Sequence, residues 1–277
     1  MPADTVTGKT VVLVTGAKSG IGKGLLTAYA LRPNAIVIAA IRDGPHSVPG
    51  EALRSLPTGP GSKIIVAKYD ASDSKSALDM AHHLQSRHDI VKVDTVIASA
   101  GILNHYGVTR DVKDDDLMEH LKINTLAPIL LYQALRDLLQ RAEAPKLFVI
   151  SSTLGSNALQ NDWNFPFLAY GMSKAALNFA AGRMHREEEK IAVVPIHPGK
   201  FCHCAAAENT TCVNVFLIGW VNTAMGEQAA HHIDVDPNEI PTSIDESVSG
   251  MMQVFDQVTK KEHSGNFYDQ KGHSIPW

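Results

Sequence analysis

Six short runs of aliphatic and β-branched residues recur along the chain, separated by longer stretches with helical spacing of apolar residues. They are 10–15 (TVVLVT), 35–40 (AIVIAA), 63–69 (KIIVAKY), 93–98 (VDTVIA), 146–151 (KLFVIS) and 191–196 (IAVVPI). Most are apolar at consecutive rather than alternating positions, which predicts strands covered on both faces. Helices are predicted at 22–31, 74–87, 114–142 (mostly helical), 169–189 and 244–258, with a short last strand at 266–268. Alternation of this kind builds right-handed βαβ crossovers and therefore a parallel sheet. The expected fold is α/β: a Rossmann-type, doubly wound parallel sheet in three αβα layers, forming a single domain over residues 1–277. The Pro- and Gly-rich segment 43–61 reads as a surface connection.

A net charge of -4 gives no reason to expect nucleic acid or an anionic membrane as partner. The first ten residues lack an apolar signal core, and no apolar run reaches the length of a membrane span. The expectation is a soluble, cytoplasmic protein acting on a small molecule. The three cysteines, Cys202, Cys204 and Cys212, share one short stretch and do not suggest a disulfide scaffold.

The first run ends in Thr15-Gly16-Ala17-Lys18-Ser19-Gly20-Ile21-Gly22, directly before a predicted helix. Glycines there permit a tight turn and let backbone N–H groups approach a pyrophosphate at a helix N-terminus. A second constellation is Tyr170-Gly171-Met172-Ser173-Lys174, in which a spacing of four puts the phenol and the amine on one helical face. An adjacent ammonium favours tyrosinate and lowers the phenol pKa, which prepares Tyr170 for proton transfer near neutral pH.

The TGxxxGIG loop and the YxxxK pair together resemble the short-chain dehydrogenase/reductase family, from about residue 10 to the C-terminus. The resemblance implies that Gly16, Lys18, Ser19, Gly20, Ile21 and Gly22 hold a dinucleotide. It implies an acid at the end of the second strand for NAD, or a nearby cation for NADP. Ala40-Ile41 carries no acid there, and Arg42 follows, so Arg42 and Lys18 favour the 2′-phosphate of NADP(H). Asp70 matches the aspartate near the adenine, its plainer reading being a helix N-cap. Tyr170 would donate a proton to a carbonyl oxygen, and Lys174 would hold ribose hydroxyls. Ser152 would hydrogen-bond the substrate oxygen, with Ser151 and Ser156 as alternatives because 161–167 adds an extra loop. Asn124 would order a lysine-linked water relay. Ser99 stands where the family has Asn. His197-Pro198-Gly199 matches a turn beside the nicotinamide, whose carboxamide Val221 and Thr223 would hold.

Further strings, among them Ile244-Asp245-Glu246-Ser247 and the stretch from Ser264 through Pro276-Trp277, resemble norsolorinic acid ketoreductase-like enzymes of fungal polyketide pathways. They imply NADPH-dependent reduction of a bulky, aromatic-type ketone to a secondary alcohol. Trp163, Phe165, Phe167 and Trp220 would line an apolar pocket or serve as ordinary core. Alcohol oxidation at the same site, and a catalytically silent NADP-binding protein, are the rival readings. Self-association as a homodimer or homotetramer, through apolar faces at 130–139 and 175–181, is also implied.

Residues 200–219 separate the turn at Gly199 from Trp220-Val221-Asn222-Thr223 and contain every cysteine. The Cys-x-Cys spacing around His203 is poor for zinc, so no metal is expected. A substrate lid is one reading. A retained intron is another: Gly199-Lys200-Phe201 can be encoded with a GTAAGT donor and Ile218-Gly219 with an acceptor AG, and excision restores His-Pro-Gly-Trp-Val-Asn-Thr. Deleting residues 200–219 is expected to raise NADPH affinity and turnover; a deletion protein with no gain in either contradicts this.

Overall fold

The alternating pattern is realised as a single parallel sheet in a computed structural model that describes residues 8–160, 165–200, 220–240 and 242–277. Its strands are β1 (Thr10–Thr15), β2 (Ala35–Ile41), β3 (Lys63–Lys68), β4 (Thr95–Ala98), β5 (Lys146–Ile150), β6 (Ala192–His197) and β7 (Tyr268–Asp269), in the order β3-β2-β1-β4-β5-β6-β7. Thr10 pairs with Ala35 across β1 and β2, and Val12 with Thr95 across β1 and β4. The run expected from Val93 starts as strand only at Thr95, because the Asp94 carboxylate turns aside to accept the Val11 N–H at 2.8 Å.

Successive residues of β1 supply opposite faces of the sheet, as the period of two requires. Val11 and Leu13 pack against α3 (Ser76–His88), α5 (Ala127–Gln140) and α6 (Leu168–Glu187). Val12 and Val14 belong to the other core, with α1 (Gly20–Ala30) and α8 (Ile244–Gln257). There Phe148 of β5 stacks on Phe255 of α8 with ring centroids 3.8 Å apart. This is the expected three-layer, doubly wound arrangement.

Two elements depart from the expected outline. The segment 43–61 contains a helix, α2 (Val48–Arg54), and is more than a surface connection. Pro49 lies in its first turn, where a missing N–H costs nothing; Ser47 accepts the Gly50 N–H, and Leu53 is buried. The long stretch 114–142 is two helices, α4 (Asp114–Leu121) and α5, joined by a π turn at Lys122–Leu126. Pro128 offers no N–H to the carbonyl of Asn124, four residues earlier, so regular α-helix cannot run through. A further helix, α7 (Ala224–His232), follows Thr223, whose hydroxyl caps it by accepting the Gly226 N–H.

The chain winds outward from β1 through β2 to β3, then returns to β4 on the other side of β1. Crossovers diverge there, and a crevice opens outside the C-terminal ends of β1 and β4, the place where such sheets bind ligands. No helix among the described residues is long and apolar enough to cross a membrane. The cysteine cluster, with its metal, lid and intron readings, and Trp163 lie outside the described residues.

Candidate active site

A cleft of about 500 Å³ occupies this crevice and gathers the catalytic and cofactor residues expected from the sequence except Asn124; of the two alternative serines Ser151 lines it and Ser156 does not. One end is made by the glycine turn, Arg42 and Asp70, and the other by Ser152, Tyr170, Lys174, Trp220, Val221 and Thr223.

The glycine turn works by close approach. Gly16 has φ +66°, and a Cβ there would lie 3.0 Å from the backbone of Ala100. A Cβ on Gly22 would meet the Gly16 carbonyl oxygen at 2.4 Å. The turn therefore folds flat against the end of β4 and launches α1 straight from the cleft floor. Ser19 occupies the N-cap without a side-chain cap, and no acid lies in the first turn. Those first-turn N–H groups and the positive end of the helix dipole are suited to an anion such as a pyrophosphate. The side chains present thus fit a dinucleotide.

The cations at this end are partly balanced. Lys18 Nζ lies 2.9 Å from Asp43 Oδ2, and this hydrogen bond holds the Asp43 carboxyl below its ordinary range. Arg42 is exposed at the rim. The sequence reading named Lys18 and Arg42 but missed Asp43, which nothing in the local pattern marks as facing Lys18. Asp70 does not cap a helix, since α3 begins only at Ser76. It accepts the N–H and hydroxyl of Ser72 at 2.9 and 2.7 Å, bonds that lower its pKa. Ser99 is tied to β1 through its backbone: the Thr15 hydroxyl accepts the N–H groups of Ser99 and Ala100, each at 3.0 Å.

At the other end, Tyr170 and Lys174 rise from the first turns of α6. Lys174 Nζ donates to the Ile150 carbonyl at 2.8 Å and sits 5.5 Å from the Tyr170 ring centroid. The ammonium was expected to pull the phenol toward ionisation; in the ligand-free cleft desolvation acts in the opposite direction. It pushes the Tyr170 phenol up to about 12, against a hydrogen bond with Ser152 that pulls the other way. Burial also pulls Lys174 down to about 8. Both groups are thereby driven toward their neutral forms.

Of the three candidate serines, Ser152 alone is hydrogen-bonded to Tyr170 among the described residues. Ser151 instead donates to Asn178 Oδ1 at 2.6 Å and Ser156 to the Pro276 carbonyl at 2.6 Å. Asn124 is fully buried behind the cleft, in the π turn. Its oxygen accepts the Ile102 N–H, and its amide donates to the Ile102 carbonyl and to Ser173 Oγ. The side chain therefore pins the strand end that carries Gly101.

Trp220 lines the cleft, while Phe167 is buried behind it and Phe165 half-buried. Tyr106, which the sequence reading did not single out, meets Phe167 edge-on at 5.7 Å and stacks on His232 at 3.5 Å. With Leu103, Leu154 and Met225 these rings form an apolar cluster around Tyr170.

Residues 10–212 match the family described as short chain dehydrogenase. The chain belongs to the short chain dehydrogenase family. As a short chain dehydrogenase it is an oxidoreductase. It is 33% identical to norsolorinic acid ketoreductase nor1 of Dothistroma septosporum, over 97% of this chain and 93% of that protein. It is 32% identical to norsolorinic acid ketoreductase stcE of Emericella nidulans, over 97% and 94%. The NADPH-bound carbonyl reductase from chicken fatty liver has the same fold, with a TM-score of 0.76, 27% identity, and 97% and 99% of the two chains covered. The carbonyl reductase Sniffer of D. melanogaster, 21% identical with a TM-score of 0.75 over 97% and 99% of the chains, shares the fold.

The buried ammonium has a cost that pH reveals. Between about pH 8 and Lys174's ordinary value of 10.5, the unfolded chain binds a proton that the native state has released, so native stability rises with pH through that window. Lys174→Met is expected to be more stable than wild type at pH 7, by up to about 3 kcal/mol. That gain shrinks as pH climbs past 8, as urea unfolding across the range will read. A difference independent of pH contradicts the buried-ammonium account.

Proposed function

We propose that this short chain dehydrogenase reduces a bulky ketone of the aromatic polyketide type to a secondary alcohol, using NADPH. The observation that carries the reading is the convergence of Tyr170, Ser152 and Lys174 on one end of the cleft, where a phenol can give its proton to an oxygen developing negative charge. The ketoreductase names of the relatives and the NADPH held by the chicken carbonyl reductase support it.

A reduced nicotinamide dinucleotide supplies hydride to the carbonyl carbon when bound. The α1 N-terminus with Gly16, Ser19, Gly20, Ile21 and Gly22 would hold its pyrophosphate, and Arg42 with Lys18 its 2′-phosphate. Asp70 and Ser99 would flank the adenosine half, and Val221 and Thr223 the nicotinamide end. Ser152 hydrogen-bonds the ketone oxygen, and Tyr170 donates the proton. Lys174, still protonated below about pH 8, resupplies it. Asn124 would support the relay from behind the cleft, its amide being committed to Ile102 and Ser173. Trp220, Leu154 and Met225 present apolar surface to the substrate, backed by Phe167 and Tyr106.

NADPH oxidation with a panel of bulky aromatic ketones tests this. Tyr170→Phe is expected to lower turnover by about a hundredfold or more while still binding NADPH. Wild-type turnover is expected to hold level below about pH 8 and to fall above it as Lys174 loses its proton. A phenylalanine variant that turns over as fast as wild type overturns the proposal.

A further inference from the structure

Helix α6 carries a third polar group in line with Tyr170 and Lys174. Asn178 follows Lys174 by four residues and Tyr170 by eight, so the three lie along one stripe of the helix. Asn178 is 3% exposed and lies outside the cleft lining. An amide so buried carries two donors and an acceptor that must find partners.

Both partners lie on the turn that bears Ser152. Asn178 Oδ1 accepts the Ser151 hydroxyl at 2.6 Å, and its Nδ2 donates to the Gly155 carbonyl at 3.2 Å. Ser152 sits between those two attachment points, with its backbone closing the turn: the Gly155 N–H donates to the Ser152 carbonyl at 2.9 Å. The same turn is pressed onto the same helix stripe. A Cβ on Gly155 would lie 2.6 Å from the Lys174 carbonyl carbon, and one on Gly171 would lie 3.0 Å from the Leu154 carbonyl oxygen. Lys174 Nζ fastens the end of β5 from above, through Ile150 O.

We infer that Asn178 is a positioning residue for proton donation: it clamps the turn 151–155 to α6, so that Ser152 stays within hydrogen-bond reach of Tyr170. The inference rests on the reading that Tyr170 and Ser152 act together on a ketone oxygen. The helix that supplies the acid thereby also sets the distance to its partner. Without the amide, the Ser151 hydroxyl and the Gly155 carbonyl lose their buried partners and the turn can drift. Shifts of about 1 Å at a reacting pair cost up to about a hundredfold in rate.

The test is a double-mutant cycle in the full-length protein, joined to hydrogen exchange. Asn178→Ala is expected to lower kcat about tenfold while the Kd for NADPH changes less than about twofold. In a Ser152→Ala background the same change is expected to lower kcat less than about twofold, because the residue acts through Ser152. Ser151→Ala, which removes one of the two bonds and is the gentler variant, is expected to fall between wild type and Asn178→Ala. Without any substrate, exchange in a peptide spanning 151–156 is expected to accelerate in Asn178→Ala, while a peptide spanning 16–22 stays unchanged. Losses that multiply fully in the double variant, NADPH binding that weakens in step with kcat, or unaltered exchange at 151–156 would each overturn the clamp. If wild type turns over no ketone, the proposed reaction fails and the exchange comparison alone decides the clamp: acceleration at 151–156 upholds it and no change refutes it.

Discussion

The turn after β5 lies against helix α6 so closely that a Cβ at 155 would meet the Lys174 backbone at 2.6 Å and one at 171 the Leu154 carbonyl oxygen at 3.0 Å, and the Tyr170 end of the cleft is built on that contact. The approach brings Ser152 beside Tyr170, lets Lys174 reach the Ile150 carbonyl, and places the amide of Asn178 across the turn. The same helix is held from behind by Asn124 and Thr125: Asn124 Nδ2 donates to Ser173 Oγ, and the Thr125 hydroxyl to the Ser173 carbonyl. Tyr170, Ser152 and Lys174 are thus fixed by rigid elements, while the glycine turn and Arg42 at the far end belong to loops that follow β1 and β2.

Burial is the second constraint, and it works against local expectation. Side by side in water, an ammonium and a phenol would promote each other's charged forms. In this cleft desolvation pushes the phenol up to about 12, against a hydrogen bond with Ser152, and the ammonium down to about 8. The result is a phenol that stays protonated and a lysine that titrates near physiological pH.

The strands and long helices were legible because their apolar runs are uninterrupted and their spacing regular; β1 to β6 differ from the expected bounds by no more than two residues at either end. The glycine turn and the Tyr170–Lys174 pair were legible because each is encoded within a few adjacent residues. What stayed hidden depends on distant parts of the chain. Ser151, Ser152 and Ser156 look alike in sequence and are separated by Asn178, Tyr170 and Pro276, which lie far along the chain. The Lys18–Asp43 pair joins two loops. Helix α2 was obscured by Pro49, which reads as a breaker but sits where a first turn tolerates it. The π turn was obscured by an apolar pattern that suits α and π geometry equally well over five residues.

The central claim is that burial keeps Tyr170 a neutral phenol. Carbon-13 labelling of tyrosine Cζ, with the Tyr170 signal assigned by its loss in Tyr170→Phe, follows that ionisation directly in the ligand-free protein. The account predicts a signal that stays at the phenol position through neutral and moderately alkaline pH and moves only toward about 12. A Tyr170 resonance already at the phenolate position at neutral pH, or titrating close to it, would contradict it.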